Sequence, residues 1–293
     1  MMFTLKNDKL EITLKVRGAE LVRVARVKDG ADYLWDGNPE YWGRTSPVLF
    51  PIVGAVANDT YFVDGKAFQL EQHGFARDMV FDVVDMENNM IWFRLESSME
   101  TRQKYPFDFQ LRIGYILDEE TVTVKWEVEN TGKGMMPFSI GAHPAFVMGS
   151  DLSNYSLQLK DNKGIETYVF DKARGLVDGT ADKVTVVEDL PFLPLNKDLF
   201  ETYPTLIFED ESEILLRAYM HDREVKVSFD GFPYVGIWSP INAADQVAPF
   251  VCIEPWYGMA DTKPESGELA EKKGIQLLEA GEKFSASYTM TFS

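Results

Sequence analysis

The sequence is poor in cysteine, in histidine and in long apolar runs. One residue, Cys252, is cysteine and three are histidine. A lone cysteine cannot form an intrachain disulfide, which fits a reducing compartment, and its apolar neighbours Phe250, Val251 and Ile253 predict a buried thiol. No stretch reaches the roughly 20 apolar residues of a membrane helix, and the N-terminal residues have no signal-peptide core. We therefore expect a cytoplasmic protein that does not insert into a membrane.

Positive charge is also scarce. The 29 lysines and arginines face 47 acidic residues, which gives a net charge of −18 at pH 7. Such a field repels a phosphate backbone, so nucleic acid is not an expected partner. Small uncharged sugars are not excluded, whereas a phosphorylated sugar would need a local basic pocket that acts against the overall charge. Hydrophobic residues at 45% and charged residues at 26% are typical of a globular chain.

The strongest pattern in the sequence is alternation of apolar and polar residues. It runs through residues 121–129 and recurs at 225–229 and 288–292. This period of two predicts strands with one buried face. Turn signals such as Asp64-Gly65 and Asp230-Gly231 separate the strand-like segments. Short strands joined by such turns predict an all-β antiparallel sandwich or barrel-like fold.

Helical signal is thin. Asn38-Pro39-Glu40 has the form of a cap followed by a first helical turn. Residues 266–273, closed by Gly274, predict two further helical turns. No low-complexity linker and no repeat of 20 to 50 residues interrupts the chain. We therefore expect a single domain over residues 1–293 with only a few short helices.

Two of the three histidines lie beside glycine or proline. His73 lies in Gln72-His73-Gly74, and His143 lies in Ala142-His143-Pro144. Glycine and proline bend the backbone away from a strand ladder, as loops that carry functional groups do. Either histidine alone is more often structural than catalytic. The third, His221, is interpreted as part of a solvated turn.

A carboxylate ends one strongly apolar segment. Glu254 follows Val251-Cys252-Ile253 and is followed at once by Pro255-Trp256-Tyr257-Gly258. A carboxylate in such a place is costly to bury unless something uses it. Aromatic rings beside it suit a sugar, because the C–H face of a pyranose packs on a ring face. The alternative interpretation is a strand-end glutamate paired with a surface lysine.

These segments together resemble the aldose 1-epimerase family, also called the galactose mutarotase-like family, and within it the LacX-like branch. The motifs occur in the family's order and span most of the chain, so the set is far more specific than any one motif. The segments that carry the resemblance are Ser46-Pro47-Val48-Leu49-Phe50-Pro51-Ile52-Val53-Gly54, Gln72-His73-Gly74-Phe75-Ala76-Arg77, Pro137-Phe138-Ser139-Ile140-Gly141-Ala142-His143-Pro144-Ala145-Phe146, Gly236-Ile237-Trp238-Ser239 and Cys252-Ile253-Glu254-Pro255-Trp256-Tyr257-Gly258.

The resemblance implies a galactose mutarotase-like supersandwich that interconverts the α and β anomers of an aldose. In the family the glutamate of the Glu-Pro-Trp motif is the base, which is Glu254 here. The histidine of the His-Pro motif, His143, is the acid, and His73 of the His-Gly motif donates a hydrogen bond at the ring-oxygen side. Histidine, with a pKa of about 6.5, and glutamate, with a pKa of about 4.3, suit these roles near neutral pH. No cofactor and no metal is implied, because no electrons or groups leave the sugar.

Four further residues are expected to contact the sugar. Trp256 and Trp238 are predicted aromatic walls, with core packing as the alternative for either. Arg77 is predicted to contact a hydroxyl or a phosphate, with a surface ion pair to Asp78 or another acidic residue as the alternative. Asn58 stands where better-known mutarotases carry an Asn-Arg pair.

The sequence departs from the family pattern at three positions. Ala55 follows Gly54 where LacX-like relatives tend to carry an arginine. Asp59 replaces the arginine of the Asn-Arg pair, and Pro204 stands where an aspartate that contacts sugar hydroxyls is expected. Because the acid and the base are kept, these changes concern the choice of sugar more than the reaction.

Several functions are open at this point. The chain is an active hexose 1-epimerase, a hexose-6-phosphate 1-epimerase, or a sugar-binding or sensor protein on the same fold without useful turnover. A metal site built from His73, His143 and Glu254 is a further alternative, although no His-x-His pair or His-Glu-x-x-His helix is present. The expected partner is a small sugar, and a monomer or homodimer is expected.

Overall fold

The computed structural model describes residues 1–149, 151–160, 165–187, 192–220, 223–263 and 266–293, so the solvated turn predicted at His221 lies outside the described residues. The α-helices of these ranges are short: α1 Met99–Lys104 and α2 Lys197–Thr202. The strands are β1 Met2–Lys6, β2 Leu10–Lys15, β3 Glu20–Arg26, β4 Val48–Leu49, β5 Thr60–Val63, β6 Lys66–Gln69, β7 Asp82–Met86, β8 Met90–Glu96, β9 Phe109–Asp118, β10 Thr121–Asn130, β11 Met136–Phe138, β12 Ile140–Ala142, β13 Ala145–Val147, β14 Tyr155–Leu159, β15 Ile165–Thr167, β16 Phe170–Asp171, β17 Leu176–Asp178, β18 Val184–Val187, β19 Phe192–Pro194, β20 Leu206–Glu209, β21 Glu213–Ala218, β22 Glu224–Ser228, β23 Tyr234–Trp238, β24 Phe250–Tyr257, β25 Thr262–Lys263, β26 Gln276–Leu278 and β27 Lys283–Phe292.

Two antiparallel sheets dominate the described chain. The large sheet has the strand order β19-β14-β21-β22-β27-β10-β9-β8-β7. The second sheet, which we call the site sheet, has the order β20-β23-β24-β12-β4, and β13 also pairs with β24. All neighbours within these two sheets run antiparallel. The predicted all-β antiparallel sandwich is therefore confirmed.

The alternating segments form the strands that the pattern predicts. In β10 the buried apolar side chains are Val122, Val124, Trp126 and Val128, with more exposed residues between them. β10 pairs with β9 on one side and β27 on the other, so its backbone groups are satisfied within the large sheet. Each large apolar side chain that this alternation buries contributes roughly 1.5–3 kcal/mol to folding.

The inner faces of the two sheets share one core. The ring of Trp126 lies 5.7 Å from that of Phe232, and the ring of Tyr257 on β24 lies 4.9 Å from that of Phe284 on β27. The buried apolar cluster extends along the chain from Leu5 to Phe292. The inner face of the site sheet therefore packs in this core, and loops cover the outer face of the site sheet.

The structure forms only part of each predicted helical segment. Residues 39–41 form only a turn, in which the carbonyl of Asn38 accepts from the amides of Tyr41 and Trp42. Within 266–273 the structure has only the single 3₁₀ turn Leu269–Glu271. Lys272 then leaves the helical conformation, with φ −60° and ψ 137°, and its ammonium reaches a buried carboxylate. A tertiary contact therefore overrides the local helical pattern.

No helix among the described residues has the length and apolar character needed to cross a membrane.

Candidate active site

A cavity of about 360 Å³ lies against the outer face of the site sheet. Side chains alternate along a strand, so Cys252, Glu254 and Trp256 on β24 share that face, while Val251 and Ile253 belong to the core between the sheets. The structure brings six of the seven predicted site residues to this cavity, and these are Glu254, His143, His73, Arg77, Trp256 and Trp238.

Two glycines on neighbouring strands make room for the Trp256 indole. A Cβ at Gly236 on β23 would lie 2.3 Å from Cη2 of Trp256, and a Cβ at Gly141 on β12 would lie 2.6 Å from Cδ1. Real Cβ atoms do not approach other atoms this closely, so any side chain at either position would displace the ring. The strands on both sides of β24 therefore shape the wall of the cavity.

Glu254 is a buried carboxyl group in the middle of the site sheet. It pairs across the ladder with Gly236 and is 1% exposed. Burial raises its pKa well above the usual value, and the nearby indole N–H of Trp256 opposes this shift without making a hydrogen bond of normal geometry. Its Oε2 has no hydrogen-bond partner among the described residues. An unsatisfied buried carboxyl oxygen is costly, which points to a role in ligand binding or catalysis.

His143 faces this carboxyl group from the loop between β12 and β13. Its Nε2 lies 3.3 Å from Oε2 of Glu254. Burial, helped by the charge of Arg77, lowers the pKa of His143 to about 3. The ring stacks on Trp42 with centroids 4.6 Å apart and an interplanar angle of 27°. The pair therefore favours a neutral imidazole beside a protonated carboxyl, a state with one proton between the two groups.

His73 presents a hydrogen-bond donor to the same space. The amide of Gly54 donates to Nδ1 of His73 over 3.1 Å. Burial holds the pKa of His73 well below its usual range, and the positive charges that His143 and Arg77 can carry lower it further. A neutral imidazole that accepts at Nδ1 carries its proton on Nε2. The backbone of Gly54 therefore fixes His73 in the form that can donate from Nε2.

A buried ion pair holds the loop that orients His73. Lys272 Nζ lies 2.7 Å from Oδ1 of Asp261, and both side chains are almost completely buried. Oδ2 of Asp261 accepts from the amide of Ala57 over 2.9 Å. Ala57 lies three residues after Gly54, so the ion pair anchors the segment whose amide bonds to His73.

Arg77 lines the cavity from the 3₁₀ turn Ala76–Asp78. One Nη donates to the carbonyl of Gln72 over 2.6 Å, and Nε lies 3.8 Å from Asp78. The carboxylate of Asp78 is mainly engaged by Arg44, at 3.0 Å. Burial lowers the pKa of Arg77 to about 10, so the guanidinium stays charged at neutral pH. The contact with Asp78 exists, but it is long and leaves Arg77 directed to the cavity.

The indoles of Trp238 and Trp42 complete the aromatic surroundings of His143. Trp238 meets the imidazole edge-on, with centroids 5.5 Å apart, and meets Trp42 at the same distance. The indole N–H of Trp35 donates to the carbonyl of Trp42 over 2.8 Å and holds it in place. Trp42 was not among the site residues predicted from the sequence. Its neighbours Tyr41 and Gly43 are the only local indication of a functional role.

The structure does not bring Asn58 to this cavity. Asn58 lies in the 3₁₀ turn Ala57–Asp59 with φ +56° and lines a separate depression beside Asp261. We therefore leave it out of the proposed site. Of the positions that depart from the family pattern, Pro204 lines the cavity, while Ala55 is buried beneath the turn that contains Gly175.

The described residues contain one group of three with the donor types of a metal site. The donor atoms of His143, Cys252 and Glu254 lie within 4.8 Å of one another. The metal site considered from the sequence used His73, whereas this group contains Cys252 instead. Nδ1 of His73 already accepts a hydrogen bond from the amide of Gly54. Burial raises the pKa of the Cys252 thiol, and a thiol must lose its proton to bind a metal. The donor set therefore disfavours a resident metal ion.

Known proteins resemble this chain over most of its length. A family model described as aldose 1-epimerase matches residues 1–291. Protein LacX of Lactococcus lactis subsp. lactis is 31% identical over 284 residues, which are 93% of each chain. A galactose mutarotase related enzyme from Lactobacillus acidophilus has a TM-score of 0.94 and 32% identity, over 100% of this chain and 97% of that one. A galactose mutarotase-like protein from Lactobacillus casei has a TM-score of 0.93 and 29% identity, over 100% of both chains. The resemblance is confirmed, and the chain belongs to the aldose 1-epimerase family.

Proposed function

We propose that this protein is an aldose 1-epimerase that interconverts the α and β anomers of a hexose or related sugar by acid/base ring opening and closure. The observation that carries the proposal is the buried contact of 3.3 Å between Nε2 of His143 and Oε2 of Glu254. Both groups line the cavity, and Oε2 of Glu254 is free to accept from a ligand in the described structure.

The proposed reaction moves one proton off the sugar and one proton onto it. The base takes the proton of the O1 hydroxyl, the bond between C1 and O5 breaks, and O5 receives a proton from the acid. The C1–C2 bond then rotates, and the same steps in reverse close the ring on the other face. O1 and O5 are both bonded to C1, so two groups in direct contact can each serve one of them.

The roles of the residues follow from the proton that the pair shares. When that proton lies on His143, Glu254 is the base toward O1 and His143 is the acid toward O5. Transfer across the 3.3 Å contact produces this form from the resting one. His73 donates from Nε2 to the ring oxygen and stabilises the charge that develops there. Each well-placed acid or base contributes on the order of 10² to 10⁴ in rate.

The aromatic residues supply the platform for the sugar. Trp256, Trp238 and Trp42 present ring faces or edges along the cavity. The C–H face of a pyranose packs on such rings while its hydroxyls reach polar groups. Arg77 is the polar group that we assign to this contact, in addition to the acid and base.

A sugar-binding or sensor protein is the competing hypothesis, since Pro204 replaces an expected hydroxyl contact in the cavity wall. Polarimetry on freshly dissolved α-D-glucose and α-D-galactose distinguishes the two. We expect the optical rotation to relax faster with protein than in buffer alone. Relaxation at the buffer rate for every sugar tried, with binding detected by calorimetry, would contradict the epimerase and support the sensor.

A further inference from the structure

The imidazole of His143 is held by a hydrogen-bonding group at one of its two nitrogens only. Nε2 faces Oε2 of Glu254 at 3.3 Å, whereas Nδ1 is buried and has no hydrogen-bond partner among the described residues. A histidine that acts as an acid or base is usually oriented by a hydrogen bond at its second ring nitrogen. Because the described chain supplies no such bond at Nδ1, the orientation of the ring depends on the side chains that pack against it.

Trp42 is the side chain that stacks on this imidazole. The two ring centroids lie 4.6 Å apart, and the ring planes are 27° from parallel. Trp238 and His73 meet the imidazole edge-on, each with centroids 5.5 Å apart. A rotation about the Cβ–Cγ bond of His143 would turn the imidazole out of the stack. The indole of Trp42 therefore opposes the rotation that would take Nε2 away from the carboxyl group.

Contacts from other segments fix the Trp42 indole in its turn. The indole N–H of Trp35 donates to the carbonyl of Trp42 over 2.8 Å. The ring of Trp238 lies 5.5 Å from that of Trp42, and the ring of Phe250 on β24 lies 6.0 Å from it. These neighbours and His143 take up much of the indole surface.

The segments that carry Trp42 and His143 are joined through the backbone. Oε1 of the buried Glu20 accepts from the amide of Thr45 over 3.0 Å. The carbonyl of Thr45 accepts from the amide of Ala145, two residues after His143, also over 3.0 Å. The stack is therefore built between two segments whose separation is fixed.

The stack also favours the charged form of the proposed acid. In the proposed reaction His143 acts as the acid while it carries the proton that it shares with Glu254. Burial and the positive charges of Arg77 and Arg44 disfavour that form. An aromatic face within about 6 Å of a cation attracts it, more strongly where water is excluded. Because His143 is only 7% exposed, the Trp42 face stabilises the imidazolium in place of water.

We propose that Trp42 is a positioning residue for the acid, whose indole holds the His143 imidazole against Glu254 and stabilises it when it is protonated. This inference rests on the proposed epimerase function, because it assigns a residue to the acid step of that reaction. Since the indole already contacts His143, Trp238 and Phe250, its main effect passes through the imidazole rather than through the sugar.

The kinetic test is anomer exchange, followed by NMR, on the sugar that wild-type protein turns over fastest. We expect Trp42→Leu to lower kcat about 3- to 30-fold, the range of a cation–π contact, with a smaller change in KM. Trp42→Phe keeps an aromatic face and should recover most of the lost kcat. Trp92→Leu, at a partly exposed tryptophan on β8 outside the cavity lining, is the matched control and should leave both constants unchanged.

A second variant tests the same role if Trp42→Leu does not fold. Trp35→Phe keeps a ring at its position but removes the hydrogen bond to the Trp42 carbonyl. We expect a smaller loss of kcat in the same direction, again with less change in KM.

The His143 ring can also be observed without turnover, in protein whose histidines are labelled with ¹⁵N. The chain has three histidines, so loss of signals in His143→Asn assigns those of His143. A ring held in one tautomer gives two widely separated ¹⁵N shifts, and exchange between tautomers brings them together. We expect widely separated shifts in wild-type protein and in Trp42→Phe, and closer shifts in Trp42→Leu and, to a smaller extent, in Trp35→Phe.

The two measurements separate this inference from the proposed function. With an active wild-type protein, the inference is overturned by wild-type kcat in Trp42→Leu, by a change confined to KM, or by a loss of kcat in Trp42→Phe as large as that in Trp42→Leu. Wild-type ¹⁵N shifts in Trp42→Leu would overturn it too. If wild-type protein turns over no sugar, the epimerase is contradicted, and the shifts alone decide. Closer shifts in Trp42→Leu than in Trp42→Phe then support the role of Trp42, and equal shifts overturn it.

Discussion

At Glu254 and His143, burial shifts two pKa values in opposite directions, and both shifts favour the neutral form. Burial raises the pKa of the carboxyl group and lowers that of the imidazole to about 3. The two groups touch at 3.3 Å, so they titrate as a pair that holds one proton over a wide pH range. One proton is also what the reaction needs, since one group gives a proton while the other takes one.

The pH profile of kcat/KM tests this shared proton, because it reports the free enzyme. Below the lowered pKa of His143 the imidazole is protonated as well as the carboxyl group, so the pair holds two protons. Above the raised pKa of Glu254 the carboxyl group is ionised, so the pair holds none. We therefore expect kcat/KM to fall on the acid side near pH 3, where the pKa of His143 lies, and to persist well above the usual pKa of a glutamic acid.

The spontaneous reaction in each buffer has to be measured and subtracted, because acids and bases also catalyse mutarotation in solution. An acid limb near 6.5, the usual pKa of histidine, would show that His143 titrates as an ordinary exposed imidazole. That result would contradict the hypothesis that the two groups share one proton, but it would not contradict their placement at the cavity.

Sequence motifs located the acid and base but not their surroundings. Glu254, His143 and His73 stand in motifs that can be recognised along the chain, and the structure places all three at one cavity. Trp42 stacks on His143 from about 100 positions away in sequence, and the Gly54 amide reaches His73 through a loop. Neither contact can be inferred from the spacing of residues along the chain, because each depends on how distant segments pack.

Strand β24 shows how much of one element the sequence determines. Its apolar run predicts a buried strand and a buried Cys252, and both are confirmed. Alternation then places Cys252, Glu254 and Trp256 on one face. The register with β23 and β12, which sets Gly236 and Gly141 around Trp256, depends on strand pairing and is not visible in β24 itself.

This arrangement predicts a specific effect of Gly236→Ala. The added methyl would meet the Trp256 ring at 2.3 Å, so the indole must move and the cavity wall with it. Overpacking of this kind costs about 1–3 kcal/mol of stability. We expect a lower midpoint in thermal unfolding and a higher KM for the sugar.

Gly134→Ala is the matched control, since a Cβ there meets nothing within 4 Å and its φ is not positive. It should leave both the unfolding midpoint and KM near their wild-type values. Gly236→Ala with wild-type stability and wild-type KM would mean that Trp256 does not shape the sugar site.

Across the entire chain, the sequence predicted the class of fold better than its layout. Alternation identifies strands such as β10 and β27, whereas the order of strands in the large sheet joins segments far apart in sequence. The resemblance to a family supplied the supersandwich, and neither composition nor periodicity did.

The measurement on which the proposal depends is anomer exchange in wild-type protein, Glu254→Gln and His143→Asn, followed by NMR on the preferred sugar. Glu166→Gln, at an exposed glutamate on β15, is the matched control. We expect wild-type protein and the control to exchange the anomers well above the buffer rate. Each of the other two variants should lose roughly 100-fold or more in kcat while binding changes less. Wild-type rates in Glu254→Gln or His143→Asn would contradict the assignment of this pair as the acid and base.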